Sequence, residues 1–130
     1  MPWDDAALLR ACGTLEECYE FTLAYAAQGH GPQGGEAADA PVRERLARAA
    51  AVAAELAEIG PAQCGSFAAI LARDAAAARA AIELVLAQPA IGSPMVDSLN
   101  ASLHLRALLA DIFLLAETLE ARNAPAPAVG

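Results

Sequence analysis

Four polar residues stand in line within an otherwise apolar C-terminal third of the chain. At about 100° per residue in a helix, Asp97, Asn100, His104 and Asp111 fall within about 60° of one another, and Thr118 and Arg122 continue the line. A histidine flanked by carboxylates has the chemistry to hold a metal, act as a general base or titrate near neutral pH. The same line can also be a solvated stripe. It can equally be an interface in which Asn100 and His104 satisfy one another and nearby backbone.

Asp74 is the second candidate. It falls inside an apolar stripe formed by Phe67, Ile70, Leu71, Ala78 and Val85. Burying an isolated carboxylate costs several kcal/mol as an order of magnitude, so Asp74 must be paired or protonated. Arg106, Arg79 and His104 are its candidate partners. As one wall of a polar pocket, Asp74 would join Asn100 and His104 in binding a small ligand; as half of a structural ion pair, it would only stabilise the fold.

The remaining chemistry-bearing residues are weaker signals. Glu16, Glu17 and Glu20 with Cys18 form an acidic cluster, but carboxylate-bridged metal bundles use Glu-x-x-His on facing helices. The only histidines are His30 and His104, and no Glu-x-x-His occurs. His30 lies in a glycine run with no further ligand near it in sequence. No G-x-S-x-G, H-E-x-x-H or phosphate-loop motif is present, and no cofactor-binding motif is read.

Composition narrows the classes further. The chain has 130 residues, one ordinary domain, with 57% hydrophobic residues and a formal net charge of −8. The mean hydropathy is +0.37. Much of the apolar excess is alanine, the strongest helix former, which buries little per residue. All eight basic residues are arginine, a usage that fits a GC-rich genome. The acidic balance disfavours nucleic acid and anionic membrane surfaces as partners, and an aromatic share of 5% offers few stacking platforms for bases. No window reads as a membrane span, because His104, Arg106, Asp111 and Glu117 interrupt the most apolar one. The acidic N-terminus lacks the basic start of a signal peptide, so the expected location is cytoplasmic. Cys12, Cys18 and Cys64 form no C-x-x-C pair and read as reduced, mostly buried thiols.

The elements that must position these residues are helical. Strand signals are nearly absent. A short helix is expected from Trp3 to Cys12, ended by Gly13. Thr14 and Glu17 then form a capping box that opens a second helix to about Gln28, with Cys18, Phe21, Thr22 and Tyr25 on one face. The Gly29–Gly35 run breaks the chain. Asp39 is expected to cap a helix from Ala40 to Ile59, whose seam is Val42, Leu46, Ala49, Ala53 and Leu56. Gly60-Pro61 ends it. The next helix reaches Gln88, with Phe67, Ile70, Leu71, Ala78, Ile82 and Val85 as its core stripe. The last helix is expected to run unbroken from Pro94 to Arg122, apolar on most sides and therefore central or covered by a partner chain. Residues 123–130 read as a disordered tail after a single domain over residues 1–122.

The fold expected is all-α: a four-helix bundle with a short extra N-terminal helix. The function expected is that of a non-enzymatic interaction module, homodimeric through the last helix or bound to another protein. A bundle binding a small ligand near Asp74, Asn100 and His104 is the alternative. An enzyme using His104 as base, oriented by Asp74 or Asp97, is the third reading.

Overall fold

The computed structural model describes residues 3–29 and 35–125, and the side chains of 35–37 are not described. His30 and most of the glycine run lie outside the described residues, as do Met1, Pro2 and residues 126–130 of the expected tail. Five α-helices follow one another: α1 (Asp5–Ala27), α2 (Gly35–Glu58), α3 (Phe67–Leu86), α4 (Ser93–Ala101) and α5 (Leu103–Asn123), with a 3₁₀ turn at Ala62–Cys64. No strand occurs among the described residues. The described residues form an all-α helical bundle with four long helices and one short one.

The short helix is α4 rather than an N-terminal one. α1 runs straight through Gly13, against the expected stop. A mid-helix glycine costs only about 1 kcal/mol relative to alanine. The continuous stripe Leu8, Ala11, Cys12, Leu15, Cys18, Thr22 and Tyr25 is buried, and its burial outweighs that cost. Asp4 is the real cap, its side chain accepting from the Ala7 N–H at 2.7 Å. The Thr14 hydroxyl donates back to the Arg10 carbonyl at 3.1 Å instead of opening a helix. At the other end Gly29 has φ +72°, the left-handed conformation that favours glycine after a helix C-cap.

The second correction is in the last helix, which breaks at Ser102. α4 and α5 meet at 60°. Ser102 takes extended backbone angles, and its hydroxyl oxygen accepts from the Leu105 N–H at 3.3 Å, capping α5. An unbroken helix over the expected span would be about 43 Å long at 1.5 Å per residue, well beyond α1 or α2. The bend instead folds α4 back against α1, burying Val96 and Leu99. Among the described residues no single helix is long and apolar enough to cross a membrane, and one bent pair, α4–α5, meets the length and composition required.

The α2 seam is as its spacing requires: Val42, Leu46, Ala49, Ala53 and Leu56 are all buried, and α2 makes its most extensive contact with α3. Asp39 is not the cap of α2 but lies inside it, buried. Its carboxylate accepts from Arg43 at 3.0 Å and from the Ile91 N–H at 2.8 Å. Arg43 in turn donates to the carbonyls of Leu86 at 3.1 Å and Gln88 at 2.6 Å. These bonds hold the α3–α4 connection against α2. Tyr25 adds a hydroxyl bond to the Ile91 carbonyl at 2.6 Å, and the Ser93 hydroxyl donates to the Tyr25 carbonyl at 2.9 Å.

At the opposite end, Asp5 gathers the chain termini. It accepts from Arg122 at 2.8 Å, from Asn123 at 3.2 Å and from Gln63 at 3.2 Å. These hydrogen bonds, Asn123 foremost, hold its carboxyl below the usual range. The Trp3 indole N–H donates to the Ile59 carbonyl at 2.8 Å. Cys12 and Cys18 are buried in the core, and burial pushes both thiols up to about 11.

Candidate functional site

The bend at Ser102 divides the polar line read from the sequence. Asp97 is exposed on α4 and His104 is exposed in the first turn of α5. Asn100 is buried on α4 and meets Thr22 of α1, at 3.1 Å between Oδ1 and the hydroxyl. The Thr22 hydroxyl has one proton and already donates to the Tyr19 carbonyl at 2.9 Å. Turning the Asn100 amide lets its NH₂ donate to the Thr22 oxygen while the Thr22 proton stays on the Tyr19 carbonyl; the other amide atom then remains buried without a partner among the described residues. The enclosed space beside Asn100, lined by Leu15, Thr22, Ile82 and Leu109 among others, is about 10 Å³. That is room for a single water at most. Asp74, Asn100 and His104 therefore do not converge on a ligand cavity.

Asp74 and Asp111 do come together. One stands on α3 and the other on α5, and their carboxyls face each other across the cleft between the two helices. The ion pair expected for Asp74 is not formed with Arg79, Arg106 or His104. Arg79 pairs with Glu83 along α3 at 2.8 Å, and Arg106 and His104 are exposed. The cation nearest Asp74 is Arg73, at 3.7 Å and itself largely in solvent. Asp111 Oδ2 is shielded from solvent and accepts from no N–H or O–H group among the described residues. Burial first, then the hydrogen bond to Asp74 and its negative charge, push the Asp111 carboxyl up to about 7, against a smaller opposing pull from Arg73. One proton held between the two carboxyls satisfies both, as in any close carboxyl pair.

Apart from the exposed Arg73, the surface flanking this pair is largely apolar. On α3, Ile70, Ala77 and Leu84 recur every seven residues, within about 40° of one another on the helix. On α5, Leu103, Ala107, Ala110 and Leu114 fall within about 60°. Leu103 is 81% exposed, Leu84 68%, Leu114 55% and Ile70 39%. The sequence reading placed Ile70 in the core stripe of its helix; it stands on the outer flank instead. The seven-residue recurrence of Ile70, Ala77 and Leu84 was the available sign that α3 carries a second apolar face.

A groove of about 400 Å³ lined by Ala81, Leu84, Val85, Met95, Leu99 and Ser102 lies at one end of this face. At the other end a groove of about 380 Å³ is lined by Phe67, Leu114, Leu115 and Thr118 among others. Elsewhere, between α1 and α2, Trp3, Arg10, Val52, Glu55 and Ile59 line an open groove of about 520 Å³. No group of three or more His, Cys, Asp or Glu residues that could hold a metal occurs among the described residues. Comparison of the chain with protein families, with curated proteins and with solved structures finds no match.

Proposed function

We propose that the chain is a non-enzymatic interaction module that associates with a protein chain, its own copy first, through the outer face of α3 and α5. The observation that carries this reading is the exposure of Leu84, Leu103 and Leu114, whose helical phases set them on the side of α3 and α5 that flanks the Asp74–Asp111 cleft. Contiguous apolar surface of this kind marks interaction sites in soluble proteins. The alanines between the leucines favour close helix–helix approach.

The ligand reading depended on a polar pocket that would unite Asp74, Asn100 and His104, and the bend at Ser102 sets them apart. The enzyme reading depended on a carboxylate orienting His104. Asp74 faces Asp111 instead, and Asp97 lies exposed on the far side of the bend.

Sedimentation equilibrium across the micromolar range tests the proposal. The wild type is expected to self-associate reversibly, and Leu84→Ser with Leu114→Ser to be monomeric with unchanged helical circular dichroism. A wild type that stays monomeric at the highest concentration would overturn it.

A further inference from the structure

We infer that the second copy docks on this face about a two-fold axis, α5 running antiparallel to α5 and α3 antiparallel to α3; this rests on the self-association proposed above. The basis is that the face is complementary to itself. α3 and α5 are antiparallel neighbours: Asp74 lies beside Asp111, Phe67 shares a groove with Leu114, and Val85 shares one with Leu99 and Ser102. In that register Ala77 is level with Leu108.

The large exposed residues of the two stripes are disposed symmetrically about this level; Phe113, also exposed on α5, lies at least about 60° round the helix from every residue of its stripe. On α3 the midpoint of Ile70 and Leu84 is Ala77. On α5 the midpoint of Leu103 and Leu114 falls between Leu108 and Leu109. Two midpoints found separately on two helices thus coincide at one height, as an isologous contact demands. Rotation about an axis there sets Leu103 against Leu114 of the second copy and Ile70 against Leu84 of the second copy. The small residues then meet each other: Ala107 lies opposite Ala110 of the second copy, and the Ala77 residues face one another near the axis. Close helix approach needs small residues where the axes are nearest.

Charge agrees with the same arrangement. In an antiparallel two-fold pair the same flank of each α5 meets its counterpart. His104 and Asp111 share a flank, within about 20°. The rotation brings His104 of each copy beside Asp111 of the other, and so places a group able to carry positive charge next to the paired carboxyls. A parallel pairing would instead stack Leu103 on Leu103 and leave each Asp111 opposite its own copy.

Crosslinking reads this geometry directly. In a Cys64→Ser background, Leu103→Cys and Leu114→Cys proteins are prepared separately and treated with diamide alone and mixed. The mixture is expected to give a disulfide-linked dimer, and each protein alone to give almost none, because equivalent positions lie about 16 Å apart along the helix. Ile70→Cys mixed with Leu84→Cys is expected to behave the same way. The uncrosslinked variant Leu103→Glu should weaken association about a hundredfold, since each substitution acts twice in a two-fold interface. Its 81% exposure keeps the change out of the core. A reversible wild-type dimer whose Leu103→Cys chains crosslink to themselves, or whose mixtures do not crosslink, would overturn the antiparallel register and leave self-association standing. A monomeric wild type would overturn both.

Discussion

Replacing Asp111 by asparagine removes the charge that α3 and α5 press against Asp74 while keeping size and hydrogen-bonding reach. The ordinary carboxyl value of 3.8 rises to about 7 in the folded chain. The sign follows from linkage. Between these values the folded chain holds a proton that the unfolded chain has released, so the contribution to stability is complete at low pH. It is lost as pH rises through about 7. Taken at face value the gap corresponds to about 4 kcal/mol. The carboxyl is only half-buried, and water screening reduces this to about 1–2 kcal/mol. Asp111→Asn is therefore expected to match the wild type near pH 3 and to exceed it by about 1–2 kcal/mol near pH 8.5. In thermal unfolding that is about 3–6 °C for a chain of this length. Urea unfolding followed by circular dichroism at both pH values, at a single protein concentration, reads the difference. Asp74→Asn should show a smaller gain in the same direction, because it removes one acid's charge from the cleft but leaves the burial of Asp111, the larger cause of its raised value. A variant equally stable or equally weakened at both pH values would show that the carboxyls do not share a proton.

Gly13→Ala should stabilise the fold by about 0.5–1 kcal/mol, because Gly13 is exposed within α1 and an added Cβ meets nothing within 4 Å; a loss of stability in urea would show that α1 is kinked or contacted there. Asp39→Ala should cost about 2–4 kcal/mol and speed amide exchange at Ile91, whose N–H it binds. The Arg43 hydrogen bond holds the Asp39 carboxyl below its ordinary value, so this contribution is present above the unfolded value and lost as pH falls. A cost below about 1 kcal/mol would remove the clamp on the α3–α4 connection. Asn100→Leu should change stability by less than about 1 kcal/mol, since an apolar side chain of similar volume replaces one amide bond while Thr22 keeps Tyr19; a loss of several kcal/mol would give Asn100 a larger role than its bond to Thr22.

Helix content and the inner faces were legible because burial repeats with the helical period. Val42, Leu46, Ala49, Ala53 and Leu56 in α2 needed no tertiary information to be placed. The boundaries were not legible where long-range packing overrode local signals. Gly13 and Thr14 carry the local marks of a stop and a start, yet the buried stripe on both sides of them continues. Ser102 is an ordinary N-cap residue that gained its meaning only because a straight helix would have overshot the bundle. Asp39 has the residue type of a cap, and only the position of Ile91 across the fold turns it inward.

The same limit explains how the polar site was partly visible. Angular phase on one assumed helix grouped Asp97, Asn100, His104 and Asp111, and a single 60° bend dissolved the group. Asp111 survived as half of a site because its phase relative to α5 alone is unaffected by what happens at Ser102. Asp74 was noticed for being a carboxylate in an apolar stripe, and its partner was sought among the basic residues. The partner is the other carboxyl, which pairing rules based on opposite charge do not propose. Two acids held together between apolar ridges weaken the monomer above neutral pH. They lie about three residues, about 4.5 Å, from the symmetric midpoints of both ridges, close enough for the proposed two-fold contact to cover them. In the proposed two-fold contact, His104 of the second chain would join Arg73, the cation that already stands 3.7 Å from Asp74, beside the pair.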